Sequence, residues 1–272
     1  MRSALYVPGD SPAKLAKALG SGADALIVDL EDAVPLSGKA AARGEVAAWL
    51  DSLGDGDRPE LWVRINPGEA GHEDVRAVSR PVLAGFCVAK AESVAGLAGL
   101  LPLLDGHHRL VPLLESAAAV LAAAELARAP RVVRLQLGEA DLGADLGVRP
   151  GPEGLELLLA RSMVVLASAA AGIAPAMAPV STEFRDLDAF RASTERLRAL
   201  GFAGRACIHP HQIPVVHDVF TPSADEIKAA EDVVGRYTAA LAAGSAVCVD
   251  AHGRLVDEAV VRSARRVLSL PR

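Results

Sequence analysis

"DALIVDLEDAV", residues 24–34, is an apolar run that ends in three acids within four positions: Asp29, Glu31 and Asp32. The run is almost continuously apolar and does not alternate. That is how a strand buried on both faces reads, as in a parallel sheet. A buried strand that finishes in three carboxylates raises the question of what gathers them.

Working outward, seven more short apolar runs recur: "ALYVP" (4–8), "LWVRIN" (61–66), "GFCVAK" (85–90), "RLVPLLE" (109–115), "RVVRLQLG" (131–138), "GIAPAMAPV" (172–180) and "GRACIHP" (204–210). Between them lie Ala-rich segments with helical spacing. "SPAKLAKALGSG" offers Ser11 as an N-cap and Pro12 at the first helical position. Strand–helix alternation repeated this often predicts a (β/α)8 barrel, with an open doubly wound sheet as the second choice. Residues 1–220 are expected to form the barrel. Two further helical patterns, in residues 221–272, exceed what a barrel needs and are expected to form a C-terminal helical extension that contacts a neighbouring subunit.

Half of the chain is hydrophobic but only 3% is aromatic, so the core must be built from Ala, Val and Leu. The net charge is −6 with no basic stripe, so nucleic acid is not an expected partner. Cys87, Cys207 and Cys248 lie far apart, which is neither a disulfide framework nor a metal-binding pair, and a reducing cytoplasm is expected. The opening residues, "MRSALYVPGD", do not read as a signal peptide. Residues 162–182 carry no charge, but Gly172, Pro175 and Pro179 interrupt them. They are expected to be the end of a buried helix, a turn at Gly172 and a buried strand, with no membrane span.

In a parallel barrel the site lies at the C-terminal ends of the strands. There the runs present Arg64 and Asn66, Lys90 with Glu92, Glu115, and then Glu139, Asp141 and Asp145. Any one of these acids could simply cap a helix. Many carboxylates on one rim repel each other unless a cation is present, and oxygen donors without His or Cys suit Mg2+. His209 and His211 flank Pro210 and read as a turn. No GxSxG, GxGxxG or phosphate-loop pattern occurs.

Taken together, "RSALYVPGD", "ADALIVDLEDAV", "VRIN", "PLLESA", "LGEADLGADLG" and "CIHPHQIPVVHDVFTPS" resemble the citrate lyase β-subunit-like lyases of the HpcH/HpaI aldolase superfamily, in order from Arg2 to the last helix. The resemblance implies a Mg2+-dependent (β/α)8 barrel, usually a homotrimer, that makes or breaks a carbon–carbon bond in an acyl-CoA thioester such as citryl-CoA, citramalyl-CoA or malyl-CoA. It implies metal ligands at Glu115 and Asp141 and a carboxylate-binding arginine at Arg64. It places Glu31 and Asp32 near metal-bound waters. A related group takes a catalytic acid from the neighbouring subunit, and "GRLVDEAV" puts Asp257 there. The other reading of Asp257 is an N-cap for the last helix. Two departures, Ala89 before Lys90 and Ser181 in "APVSTEF", bear on substrate identity. The expected partners are an acyl-CoA thioester and an oxoacid. Lys90 could form a Schiff base, but the acid cluster favours a metal aldolase. The alternatives are an aldolase of free hydroxy-oxoacids without CoA and a non-catalytic subunit.

Overall fold

The computed structural model describes residues 1–54 and 56–270; Asp55, in the turn-rich loop 52–59, and Pro271 and Arg272, at the end of the expected extension, lie outside the described residues. The chain divides into two compact units, Met1–His217 and the remainder from Asp218.

The first unit is built on seven parallel strands: β1 (Ser3–Pro8), β2 (Ala25–Asp29), β3 (Glu60–Ile65), β4 (Leu83–Val88), β5 (Arg109–Leu114), β6 (Gln136–Leu137) and β7 (Arg205–Cys207). Their order across the sheet is β6-β5-β4-β3-β2-β1-β7. Both faces are buried, which explains the continuous apolar runs. Alternate residues Ala4, Ala25, Ile27, Trp62, Cys87, Val111 and Ala206 meet Met177 in one cluster on one face. Leu5, Leu26, Leu61, Phe86 and Leu110 are buried at the opposite parity, the face that connecting helices cover in such folds. Val111 on β5 and Ala206 on β7 lie near opposite ends of the strand order, yet they share the cluster. The sheet is therefore curled.

The helices follow the expected signals. Ser93 and Ser116 cap Val94–Leu100 and Ala117–Leu121 by accepting from Gly96 N and Ala119 N. Pro12 opens Pro12–Ala18, although the Ser11 side chain makes no capping hydrogen bond. Helix Leu158–Ala171 ends at Gly172 in the left-handed conformation (φ 68°). No described helix is long and apolar enough to cross a membrane.

The structure departs from the expected eight strands at two places. Segment 172–180 makes single parallel bridges, Met177 to Gln136 and Ala178 to Arg205, and no ladder. Pro175 and Pro179 remove two amide donors from it, which limits pairing. Segment 131–138 forms a strand only at Gln136–Leu137, and before it, next to the left-handed Arg131 (φ 69°), Val132 makes a single parallel bridge to Leu110 of β5.

In the second unit, Ser223 and Glu226 form a capping box at the start of helix Ala224–Ala242. An antiparallel pair, β8 (Cys248–Val249) and β9 (Leu255–Val256), leads into helix Glu258–Leu268. Tyr237, Val256 and Val261 form a small core of their own.

Candidate active site

Asp29 ends β2, and Arg64 is its register partner on β3. The two side chains therefore leave the same face side by side. Arg64 donates through Nε to Asp29 Oδ1 at 2.7 Å and through Nη2 to Oδ2 at 2.6 Å. The same carboxylate accepts from the amides of Glu31 at 2.9 Å and Ala33 at 3.2 Å, so it also folds the acidic corner after the strand. Nη1 of Arg64 reaches Glu31 Oε2 at 3.0 Å and Asp32 Oδ2 at 3.7 Å. The guanidinium lies 5.1 Å from the Tyr6 ring centre, and the Tyr6 hydroxyl accepts from Gln136 Nε2 at 2.8 Å. Burial opposes the charge on Arg64, but the Asp29 hydrogen bonds and the Glu31 charge outweigh it, and its pKa is raised.

Glu115 follows β5 and is buried. Burial is the main cause that pushes its carboxyl up to about 7; the charges of Asp141 and Glu31 add to this, and the Lys90 amide, 2.6 Å from Oε1, opposes it. Lys90 sits in a left-handed conformation (φ 50°), one that non-glycine residues adopt only when their surroundings hold them there. That bend aims its amide at Glu115 while its ammonium bonds Glu31 Oε1 and stands 3.9 Å from Asp32 and 4.0 Å from Asp141. Gly138 packs against Glu115: a Cβ there would lie 2.8 Å from both Cβ and Oε2 of the glutamate. Asp141 lies in the first turn of helix Glu139–Leu146, past the end of β6, and is half-exposed.

Tyr6, Asp29, Asp32, Arg64, Glu115 and Asp141 all line one cavity of about 330 Å³. Glu31 is not part of its wall; it is buried between Arg64 and Lys90. Among the described residues no group of three or more His, Cys, Asp or Glu side chains is gathered as a ligand cluster. A hard divalent cation that keeps several waters needs only one or two carboxylates from the protein. Glu115 and Asp141 fit that requirement: both are oxygen donors facing the cavity, and the raised carboxyl marks negative charge that the protein leaves undercompensated.

The rim is less crowded with free acids than the strand endings suggest. Glu139 is held by Arg161 through contacts of 2.5 and 2.8 Å. Asp145 accepts from the Ala117 amide at 2.7 Å, and Glu92 accepts from the Ser116 hydroxyl at 2.6 Å. In the second unit, Asp257 caps helix Glu258–Leu268 and accepts from Ala259 N at 2.9 Å and Val260 N at 3.0 Å. His209 stacks on Phe184 with centroids 5.4 Å apart. Sequence reasoning passed over Asp29 as a site residue, and Tyr6 and Gln136 altogether. The available signal was inward parity: each is a polar residue interrupting an apolar run at a position that faces the sheet interior.

The family model for HpcH/HpaI aldolase/citrate lyase matches residues 2–210. A citrate lyase subunit beta-like protein of Deinococcus radiodurans is 36% identical, covering 99% of this chain and 96% of its own. A (3S)-malyl-CoA thioesterase of Cereibacter sphaeroides is 34% identical, covering 98% and 93%. Among solved structures, the CitE protein of Mycobacterium tuberculosis in complex with magnesium, acetoacetate and coenzyme A superposes with a TM-score of 0.79 at 32% identity, covering 98% of this chain and 96% of that one.

Proposed function

This chain belongs to the HpcH/HpaI aldolase/citrate lyase family, and on that premise we propose that it is a Mg2+-dependent carbon–carbon lyase. It cleaves a β-hydroxyacyl-CoA thioester of the citryl-CoA, citramalyl-CoA or malyl-CoA kind to an oxoacid and an acyl-CoA, or joins the two in reverse. The observation that carries this reading is that Glu115, Asp141 and Arg64 line one cavity. Magnesium and coenzyme A in the related CitE structure support it. We read the curled sheet as a (β/α)8 barrel whose eighth member is segment 172–180, supported by the bridges at Met177 and Ala178 to the two edge strands. We further propose a cytoplasmic homotrimer with residues 221–272 at the contact; the three free thiols suit a reducing compartment.

Glu115 and Asp141 would hold Mg2+, which supplies Lewis-acid stabilisation of a developing oxyanion. Arg64 neutralises the substrate carboxylate. Asp29 holds its Nε and Nη2 and Glu31 holds its Nη1, so the guanidinium is fixed in place and offers the substrate the second N–H of each terminal nitrogen without a search for its rotamer. Cleavage passes the proton of the β-hydroxyl to water, turns that carbon into the carbonyl of the oxoacid, breaks the carbon–carbon bond and leaves its electron pair on the α-carbon of the thioester. That carbon then takes a proton, which we assign to Asp257 of a neighbouring subunit. Lys90 acts as a counter-charge for Glu31 and Asp32. Burial opposes its charge, but the Glu31 hydrogen bond and nearby carboxylates raise its pKa, which disfavours the free amine a Schiff base needs.

A second reading is thioester hydrolysis at the same site, favoured by the malyl-CoA thioesterase among the relatives. One assay separates the two. Malyl-CoA, citramalyl-CoA and citryl-CoA are incubated with the protein and Mg2+, and products are resolved by liquid chromatography and mass spectrometry. The lyase yields an oxoacid and an acyl-CoA, and a chelator stops it. Free CoA with an intact hydroxyacid would replace the lyase by the thioesterase. Cleavage of free hydroxy-oxoacids alone would remove CoA from the proposal.

A further inference from the structure

The end of the sheet opposite the acids holds a second cavity, of about 210 Å³. Ala4 and Ala174 line it together with the larger Ile27, Trp62, Val111 and Met177. Ala25 and Ala206, the register partners of Ala4, are also small. Parallel barrels normally fill such layers with branched side chains. Here the space is bordered by charge. Glu60 and Arg109, the first residues of β3 and β5, stand on its wall with Arg134.

The charges do not cancel. The Glu60 carboxylate accepts from Trp62 Nε1 at 3.2 Å. Nη1 of Arg134 is buried and has no hydrogen-bond partner among the described residues. A buried guanidinium nitrogen without an acceptor is costly, because it has lost its water without replacement. The Glu60 carboxylate is the charge that supports Arg134, so two guanidinium groups share one carboxylate and the wall keeps an excess of one positive charge. A cavity below the usual ~300 Å³ of small-molecule sites suits a group of a few heavy atoms, not a coenzyme.

We propose that this cavity is a binding site for a small oxyanion, a carboxylate or phosphate group, held by Arg134 and Arg109. An oxyanion presents two or more acceptors to the planar guanidinium fork and supplies the missing negative charge. Gln136 lines this cavity as well as the one containing Glu115 and Arg64. The site therefore lies directly beneath the catalytic cavity and shares one wall residue with it.

The test is thermal unfolding of the full chain titrated with inorganic phosphate and, separately, with acetate, at constant ionic strength. Wild type should gain stability saturably with one or both. Arg134→Gln should shift the half-saturating concentration upward on the order of tenfold to a hundredfold, as expected for loss of a charged hydrogen-bonding partner. Response to phosphate alone assigns a phosphate ligand and response to acetate alone a carboxylate. Because Arg64 can also attract anions, crystals are soaked with selenate, whose anomalous signal marks its place. Density within hydrogen-bonding distance of Arg134 Nη1 supports the site. Identical titrations in wild type and variant, or selenate only in the cavity of Arg64, would overturn it. If Arg134→Gln does not fold, Arg109→Gln and the selenate position decide by the same criteria.

Discussion

Two buried carboxylates stand at strand ends on the same rim, and the protein treats them oppositely. Asp29 accepts four hydrogen bonds, two from Arg64 and two from backbone amides. Glu115 receives the Lys90 amide and otherwise faces the charges of Asp141 and Glu31, with Lys90 as partial relief. Both acids are equally hidden from water, at 3% and 5% exposure. The difference is compensation. A carboxylate saturated by donors is a structural anchor, and one left short of positive charge is prepared for a cation from outside.

The sharpest way to break this contrast is to remove the short-changed acids. Glu115→Ala and Asp141→Ala should each take Mg2+-dependent turnover to background while circular dichroism stays as in wild type. Full activity at limiting Mg2+ would end the metal assignment. On the other side of the contrast, Asp29→Ala strands a buried guanidinium. We expect about 3–5 kcal/mol of lost stability in denaturant titration, the range for removing one partner of a buried pair. A loss within experimental error would mean that water or Glu31 replaces Asp29.

Glu115 also carries a pH dependence. Glu115 titrates near 7 in the folded protein, above its ordinary 4.5. Between those values the native state holds a proton that the unfolded chain has released. Stability of the metal-free protein should therefore fall as pH rises from 4.5 through 7, by about 3 kcal/mol in all. Glu115→Gln should flatten that decline in chemical denaturation at stepped pH, and an unchanged slope would show that another group titrates. Arg64→Lys tests the anchor from its other half. The lysine keeps a charge but loses the fork on Asp29. Oxoacid affinity by calorimetry should weaken by about 1.5–3 kcal/mol; unchanged affinity would make Arg64 purely structural.

The smallest expected change in stability is at Asp257. Its cap on helix Glu258–Leu268 is worth about 1 kcal/mol. If it also donates the proton in trans, Asp257→Ala loses turnover, and exchange of subunits with Glu115→Ala restores part of it. Confirmed exchange without recovery would leave Asp257 as a cap.

Much of this was legible in the residues themselves. Continuous apolar runs separated by Ala-rich helical segments specify a parallel sheet buried on both faces, because burial of that much Ala, Val and Leu permits little else. The acids at the run ends, with Arg64 and Lys90, marked which end carries the site. Local composition could not say which acids are free. Glu139 and Asp145 read like Asp141 in the sequence, but Arg161 and the Ala117 amide occupy them only after helices from other parts of the chain pack nearby. The Asp29–Arg64 pair depends on the register of β2 against β3, and the unsatisfied Nη1 of Arg134 on side chains from several strands meeting beneath Gln136. Hydrophobic pattern is a property of neighbours along the chain, so it can be read directly; charge compensation is a sum over neighbours in space, and only the packed structure decides it.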